Sequence, residues 1–163
     1  MTKTSLDVSI VLERRRLSNA WVSEQWEATG VVPAADEGRG DAPRCLRSAP
    51  EGEQWLVPGA RIELFTDEAE NYLLNVGGAE PRVFVMWRME EGDALPHVGA
   101  VTVSFGEAAR MLDSGEQVDG APMPPDIRQW VESFAQAFYR PEVRKKGGRF
   151  ASVRDGGSRN ARG

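Results

Sequence analysis

The chain reads as an α+β domain: an antiparallel, strongly twisted sheet or open barrel of roughly six to eight strands, closed by two C-terminal helices. Three observations predict it. Apolar residues alternate with polar ones in short runs as far as Val103, the period of half-buried strands. The stretches between those runs are rich in turn formers and too short for crossover helices, so neighbouring strands must be mostly antiparallel. After Ser104 the apolar residues take up helical spacing.

Val8, Ile10 and Leu12 alternate with Ser9, Val11 and Glu13, which predicts a first strand ending in the arginine run Arg14, Arg15 and Arg16. Residues 26–32 form a second candidate strand, stopped by Pro33. The segment AADEGRGDA, residues 34–42, has charge and turn formers without an apolar period and reads as a loop, its RGD triplet a chance match. Short strands are then expected at Cys45 and Leu46, at residues 55–57 before Pro58 and Gly59, and at residues 61–66. The acidic DEAE reads as a turn before a strand over residues 71–76, with Tyr72, Leu74 and Val76 on one face. GGAEP leads into a strand over residues 83–88 and EEGDALP into one over residues 98–103.

Ser104 and Glu107 fit a capping box, in which the serine oxygen accepts a backbone N–H and the glutamate reaches back. Phe105, Ala108, Ala109 and Leu112 continue at helical spacing, and Gly115 is placed to stop the helix. EQVDGAPM reads as a linker. Pro124, Pro125 and Asp126 then open a second helix, since proline fits the first turn and an aspartate there suits the helix dipole. Its stripe is Ile127, Trp130, Val131, Phe134, Ala135 and Phe138, expected to lie across the sheet as its main lid. Residues 1–143 are thus one α+β domain. Residues 144–163, glycine-rich and basic, read as a flexible tail with too little apolar content to fold alone.

Charge is unevenly spread. The formal net charge is -5, yet residues 144–163 hold seven Lys and Arg against Asp155, a net +6, which leaves -11 on the rest. So acidic a body repels a phosphate backbone, which makes nucleic acid an unlikely partner except through the tail or the arginine run. With one cysteine, Cys45, there is no internal disulfide, and a reducing compartment is the natural expectation. No stretch approaches the roughly 20 apolar residues of a membrane span. A cytoplasmic protein is expected.

Residue chemistry points to no reaction. His97, the only histidine, has no nucleophile or carboxylate at a recognisable spacing. Cys45 between Arg44 and Arg47 has cationic neighbours, but a lone cysteine in a strand is more often a small core residue. The acidic groups Glu68/Glu70 and Glu90/Glu91/Asp93 fall in turns, where solvated carboxylates are usual, so no metal and no cofactor is expected. The pairs Gly77-Gly78 and Gly147-Gly148 lack the strand and helix of a phosphate cradle. The stretch RRRLSNAWVSEQW stands apart. If the first strand runs through Arg16, Arg14 and Arg16 share a face with Leu12 while Arg15 lies opposite with Glu13 and Val11. Trp21 and Trp26 either pack beneath a helix or join the arginines in a partner surface. Candidate partner-binding residues are therefore Arg14, Arg15, Arg16, Trp21 and Trp26, with Arg144, Lys145, Lys146 and Arg149 of the tail.

Four segments, RRRLSNAWVSEQWEATGVVP, IELFTDEAENYLLNVGGAEPRVFVMWR, EAARMLDSGEQVDGAPMPPDIRQWVESF and YRPEVRKK, together resemble an uncharacterised bacterial family, a domain of unknown function whose members are often encoded beside molybdenum-dependent formate dehydrogenase genes. The resemblance implies a place in the maturation or assembly of that enzyme, with its subunits or maturation factors as partners. Some members carry the label molybdopterin-guanine dinucleotide biosynthesis protein A, a guanylyltransferase whose first strand leads into a glycine-rich phosphate loop. Here that strand leads into Glu13 and the arginines, with no glycine before Gly30 and no alternating strand–helix pattern. The leading expectation is a non-catalytic accessory protein. An enzyme of molybdenum cofactor biosynthesis is the alternative, and an RNA-binding module acting through the tail is the third.

Overall fold

The computed structural model describes residues 3–18, 23–34 and 42–140. Their seven strands form two antiparallel sheets. The first is built from β1 (Ser5–Arg16), β2 (Glu24–Pro33), β3 (Arg44–Ala49) and β4 (Gly52–Glu63), in the order β2-β1-β4-β3. A 3-10 turn (Thr66–Glu68) and α1 (Ala69–Val76) lead to the second, made of β5 (Arg82–Arg88), β6 (His97–Thr102) and β7 (Gln117–Pro122) in the order β6-β5-β7. Helix α2 (Phe105–Asp113) lies between β6 and β7 in the chain, and α3 (Pro125–Phe138) follows β7. The class is α+β. The sheets do not close into a barrel, and the expected single sheet is two.

Alternation in β1 buries Val8, Ile10 and Leu12 completely, as the period-2 reading predicts. Two segments expected to be separate strands are one. β4 continues through Pro58 and Gly59 because they form a bulge: Val8 pairs with Ala60 and Ile10 with Val57, leaving the two residues opposite Ser9. Gly59 there has a φ of 96°, open to glycine at little cost. At the start of β4, Gly52 is required for a different reason, since a Cβ would sit 2.2 Å from the Arg14 carbonyl oxygen.

Residues 71–76 are helical rather than extended. The buried set is Ala69, Tyr72 and Val76 with Asn75, while Leu74 is 59% exposed, so a helical period underlies what reads as alternation. Asn75 explains its own burial: its Nδ2 donates to the carbonyls of Arg82 and Val103, and its Oδ1 accepts from Arg82 N at 2.9 Å. The expected linker at 117–122 is β7, which pairs with β5 from Arg82↔Pro122 to Trp87↔Gln117. α3 starts at Pro125 as predicted and buries Ile127, Val131, Phe134 and Ala135. It packs on α1 and the 3-10 turn, with the Phe134 ring 6.2 Å from that of Tyr72.

One carboxylate joins the two sheets. Asp119 of β7 accepts from Ala28 N of β2 at 2.9 Å and from Trp87 Nε1 of β5 at 2.7 Å, both on Oδ2. A β2 edge amide that would otherwise lie open is thereby satisfied.

Candidate functional site

β1 runs through Arg16, so the three arginines alternate faces as expected and each has its own partners. β1 lies between β2 and β4, which bring a glutamate to Arg14 from either side. Its guanidinium is 3.0 Å from Glu24 Oε1 and 2.9 Å from Glu53 Oε2, and its side chain is 18% exposed. Trp55 Nε1 donates to the other Glu53 oxygen at 2.9 Å. Hydrogen bonding from Arg14, then from Trp55, holds Glu53 below its usual 4.5, and the bonds from Glu53 and Glu24 raise Arg14. Arg15, on the opposite face, pairs with Glu27 and lies 3.7 Å from Glu13. Arg16 donates from Nε to the Pro50 carbonyl at 2.9 Å.

Trp26, directly opposite Arg14 in the register, belongs to the core at 8% exposure, and its buried Nε1 has no acceptor among the described residues. Trp21, Arg144, Lys145, Lys146 and Arg149 lie outside the described residues. The arginine run is therefore a strand end in which Arg14 and Arg15 are ion-paired, and only Arg14 is partly buried.

Beside it lies a surface the sequence reading passed over. β3 is the outer strand of its sheet and is exposed from Arg44 to Ser48. A register shift between Cys45 and Arg47 leaves Leu46 bulged out and 46% exposed. Arg44 and Arg47 form no ion pair among the described residues. Arg47 also lines a shallow cleft of about 160 Å³ with Glu13, Arg14, Arg15 and Glu53. Cys45 is exposed rather than in the core, its thiol 3.5 Å from the Arg47 carbonyl.

His97 borders a second groove of about 290 Å³ between β4 and β6, lined by Val57, Pro58, Arg61, Leu95 and Val98 among others. Its Nε2 is 3.3 Å from Asp93 Oδ2, and Asp93 is held below its usual value first by the Glu90 backbone N–H and then by His97. Among the described residues no group of three or more His, Cys, Asp and Glu converges as a metal cage would require.

The capping box at α2 is half formed. Ser104 Oγ accepts from Glu107 N at 3.1 Å, as predicted, but Ser104 N donates to Thr102 Oγ1. The serine proton goes to Glu68 Oε1 at 2.6 Å, which also accepts from Asn71 at 3.2 Å. The 3-10 turn, α1 and α2 are thus tied at one point, with Phe65, Leu74 and Phe105 left 51%, 59% and 42% exposed on these elements.

A family model described as a protein of unknown function, DUF3305, matches residues 7–147. The chain belongs to this family. In this DUF3305 protein the match runs from the third residue of β1 past the end of α3, so the arginine strand end, the β3 edge and the helical face all lie within it. No curated protein and no solved structure matches the chain.

Proposed function

We propose that the protein is a non-catalytic accessory factor that docks on another protein during the maturation or assembly of a molybdenum-dependent formate dehydrogenase. The pathway rests on the resemblance of its sequence segments to proteins encoded beside formate dehydrogenase genes. The docking role rests on one observation: β3 is an exposed outer strand carrying a bulged Leu46 between Arg44 and Arg47. An outer strand offers its unpaired backbone edge to an extended segment, and the two arginines suit an acidic one. Arg14 and Arg15 are taken up by Glu24, Glu53 and Glu27, and Trp26 serves the core.

Affinity purification from cells growing on formate tests the proposal, with the wild type beside Arg44→Glu/Arg47→Glu. Recovery of dehydrogenase subunits or maturation factors by the wild type, and its loss in the double variant, is the expected result. Recovery of none of them by the wild type would refute the pathway. Equal recovery by both would remove β3 from the interface.

A further inference from the structure

We propose that the helical face made by the 3-10 turn, α1 and the first turn of α2 is the docking surface for this chain's own basic segment, residues 144–149. This face is acidic and partly apolar. Asp67, Glu68, Glu70 and Glu107 form no ion pair among the described residues, and Phe65, Leu74 and Phe105 are exposed on the same elements. Glu68 and the start of α2 at Glu107 meet at Ser104. Ser104 bonds Glu68 and caps the backbone of Glu107, and a Cβ on Gly106 would stand 3.0 Å from Asn71 Nδ2, so α2 starts directly against α1. Their field reaches the interior: burial first, and then Glu68, Glu107 and Asp67, push the Tyr72 hydroxyl up to about 12. Uncompensated negative charge beside exposed apolar rings suits Lys and Arg, whose aliphatic stems cover apolar surface while their heads stay in water.

The occupant follows from where the chain leaves α3. The Phe138 ring is 4.8 Å from Phe134, Phe134 is 6.2 Å from Tyr72, and the Tyr72 hydroxyl accepts from Phe65 N at 2.8 Å. The end of α3 is therefore linked, through two rings, to the start of the acidic face. Beyond Arg140, four further residues reach Arg144 and nine reach Arg149, spans of at most about 14 and 32 Å. An eight-residue helix such as α1 is only about 12 Å long. Residues 144–163 carry a net +6, and a short tether supplies an effective concentration on the order of millimolar. Weak, screened ion pairs then suffice.

The test uses the full chain carrying Cys45→Ser and Ser152→Cys, with a nitroxide on the new thiol and amide line broadening read by NMR. At low salt, broadening should fall on the 3-10 turn, α1 and the start of α2, and it should fade at about 0.5 M salt, where the Debye length is a few ångströms. Lys145→Glu/Lys146→Glu should abolish it. So should Asp67→Asn/Glu70→Gln/Glu107→Gln, which spares Glu68 and its bond to Ser104 and should leave the remaining amide spectrum unchanged. Broadening that is absent, or centred on β3 or on the β4–β6 groove, overturns the proposal. So does broadening that persists when nitroxide and isotope are on different copies, since the occupant is then a second molecule.

Discussion

Replacing Asp119 by alanine should destabilise the domain by roughly 3–5 kcal/mol, because it orphans two donors on buried residues. Ala28 is 1% exposed and Trp87 8%, and both donate to the same carboxylate oxygen, at 2.9 and 2.7 Å. A hydrogen bond to a charged acceptor contributes about 1.5–3 kcal/mol, and a buried donor left alone costs its desolvation. Asp119→Asn keeps an acceptor oxygen and should cost only about 1–2 kcal/mol. Urea unfolding followed by tryptophan fluorescence and by circular dichroism measures both. In a domain of this size each kcal/mol lowers Tm by about 2–4 °C. The double variant Trp87→Phe/Asp119→Ala should lose clearly less than the sum of the single losses, since the residues share a bond. A loss below about 1 kcal/mol for Asp119→Ala, or strict additivity in that cycle, would refute the view of Asp119 as the joint between the sheets.

Tyr72 sets an alkaline limit. Its hydroxyl is pushed from 10.0 to about 12, chiefly by burial, so the folded state holds the proton more tightly, and this stabilisation is complete below pH 10 and lost as the pH climbs to about 12. Urea midpoints on either side of pH 10 should show the loss, and Tyr72→Phe should remove it. Glu53 works in the opposite sense. Held below 4.5 first by Arg14, it contributes stability that is present above pH 4.5 and lost as the pH falls through its lower folded value; Glu53→Gln should flatten that part of the acid-unfolding curve. Gly52→Ala, which drives a Cβ to 2.2 Å from the Arg14 carbonyl, should cost about 1–3 kcal/mol in the same urea assay.

Elements whose burial follows a simple period were legible in the sequence. Val8, Ile10 and Leu12, or Val83, Val85 and Trp87, sit on the core side as their alternation predicts, and Pro124, Pro125 and Asp126 mark the start of α3. Where two periods overlap, local pattern misleads. Tyr72 and Val76 fit both an alternation and a helix, and the tertiary bonds of Asn75 to Arg82 and Val103 accompany the helix. β7 was hidden because Asp119, Gly120 and Pro122 are poor strand formers, and its pairing with β5 compensates. The arginine run was legible as a strand end with alternating faces. Its partners were not, because Glu24 and Glu53 reach Arg14 only through pairing on both sides of β1. Nor could residue order show that β3 is an outer strand.

The register of β1 also dictates an order of assembly. Its pairing with β2 closes locally, from Arg16↔Glu24, but its other edge pairs with β4 as far out as Ser5↔Glu63. As the chain emerges from a ribosome, β1 can meet β2 early and must then wait for β4, with Val8, Ile10 and Leu12 uncovered. Such long-range closure is slow, and an open, apolar strand edge is a template for neighbouring chains. Refolding yield should therefore fall steeply with protein concentration, and amides of β1 that donate to β4 should gain protection from hydrogen exchange later than those that donate to β2.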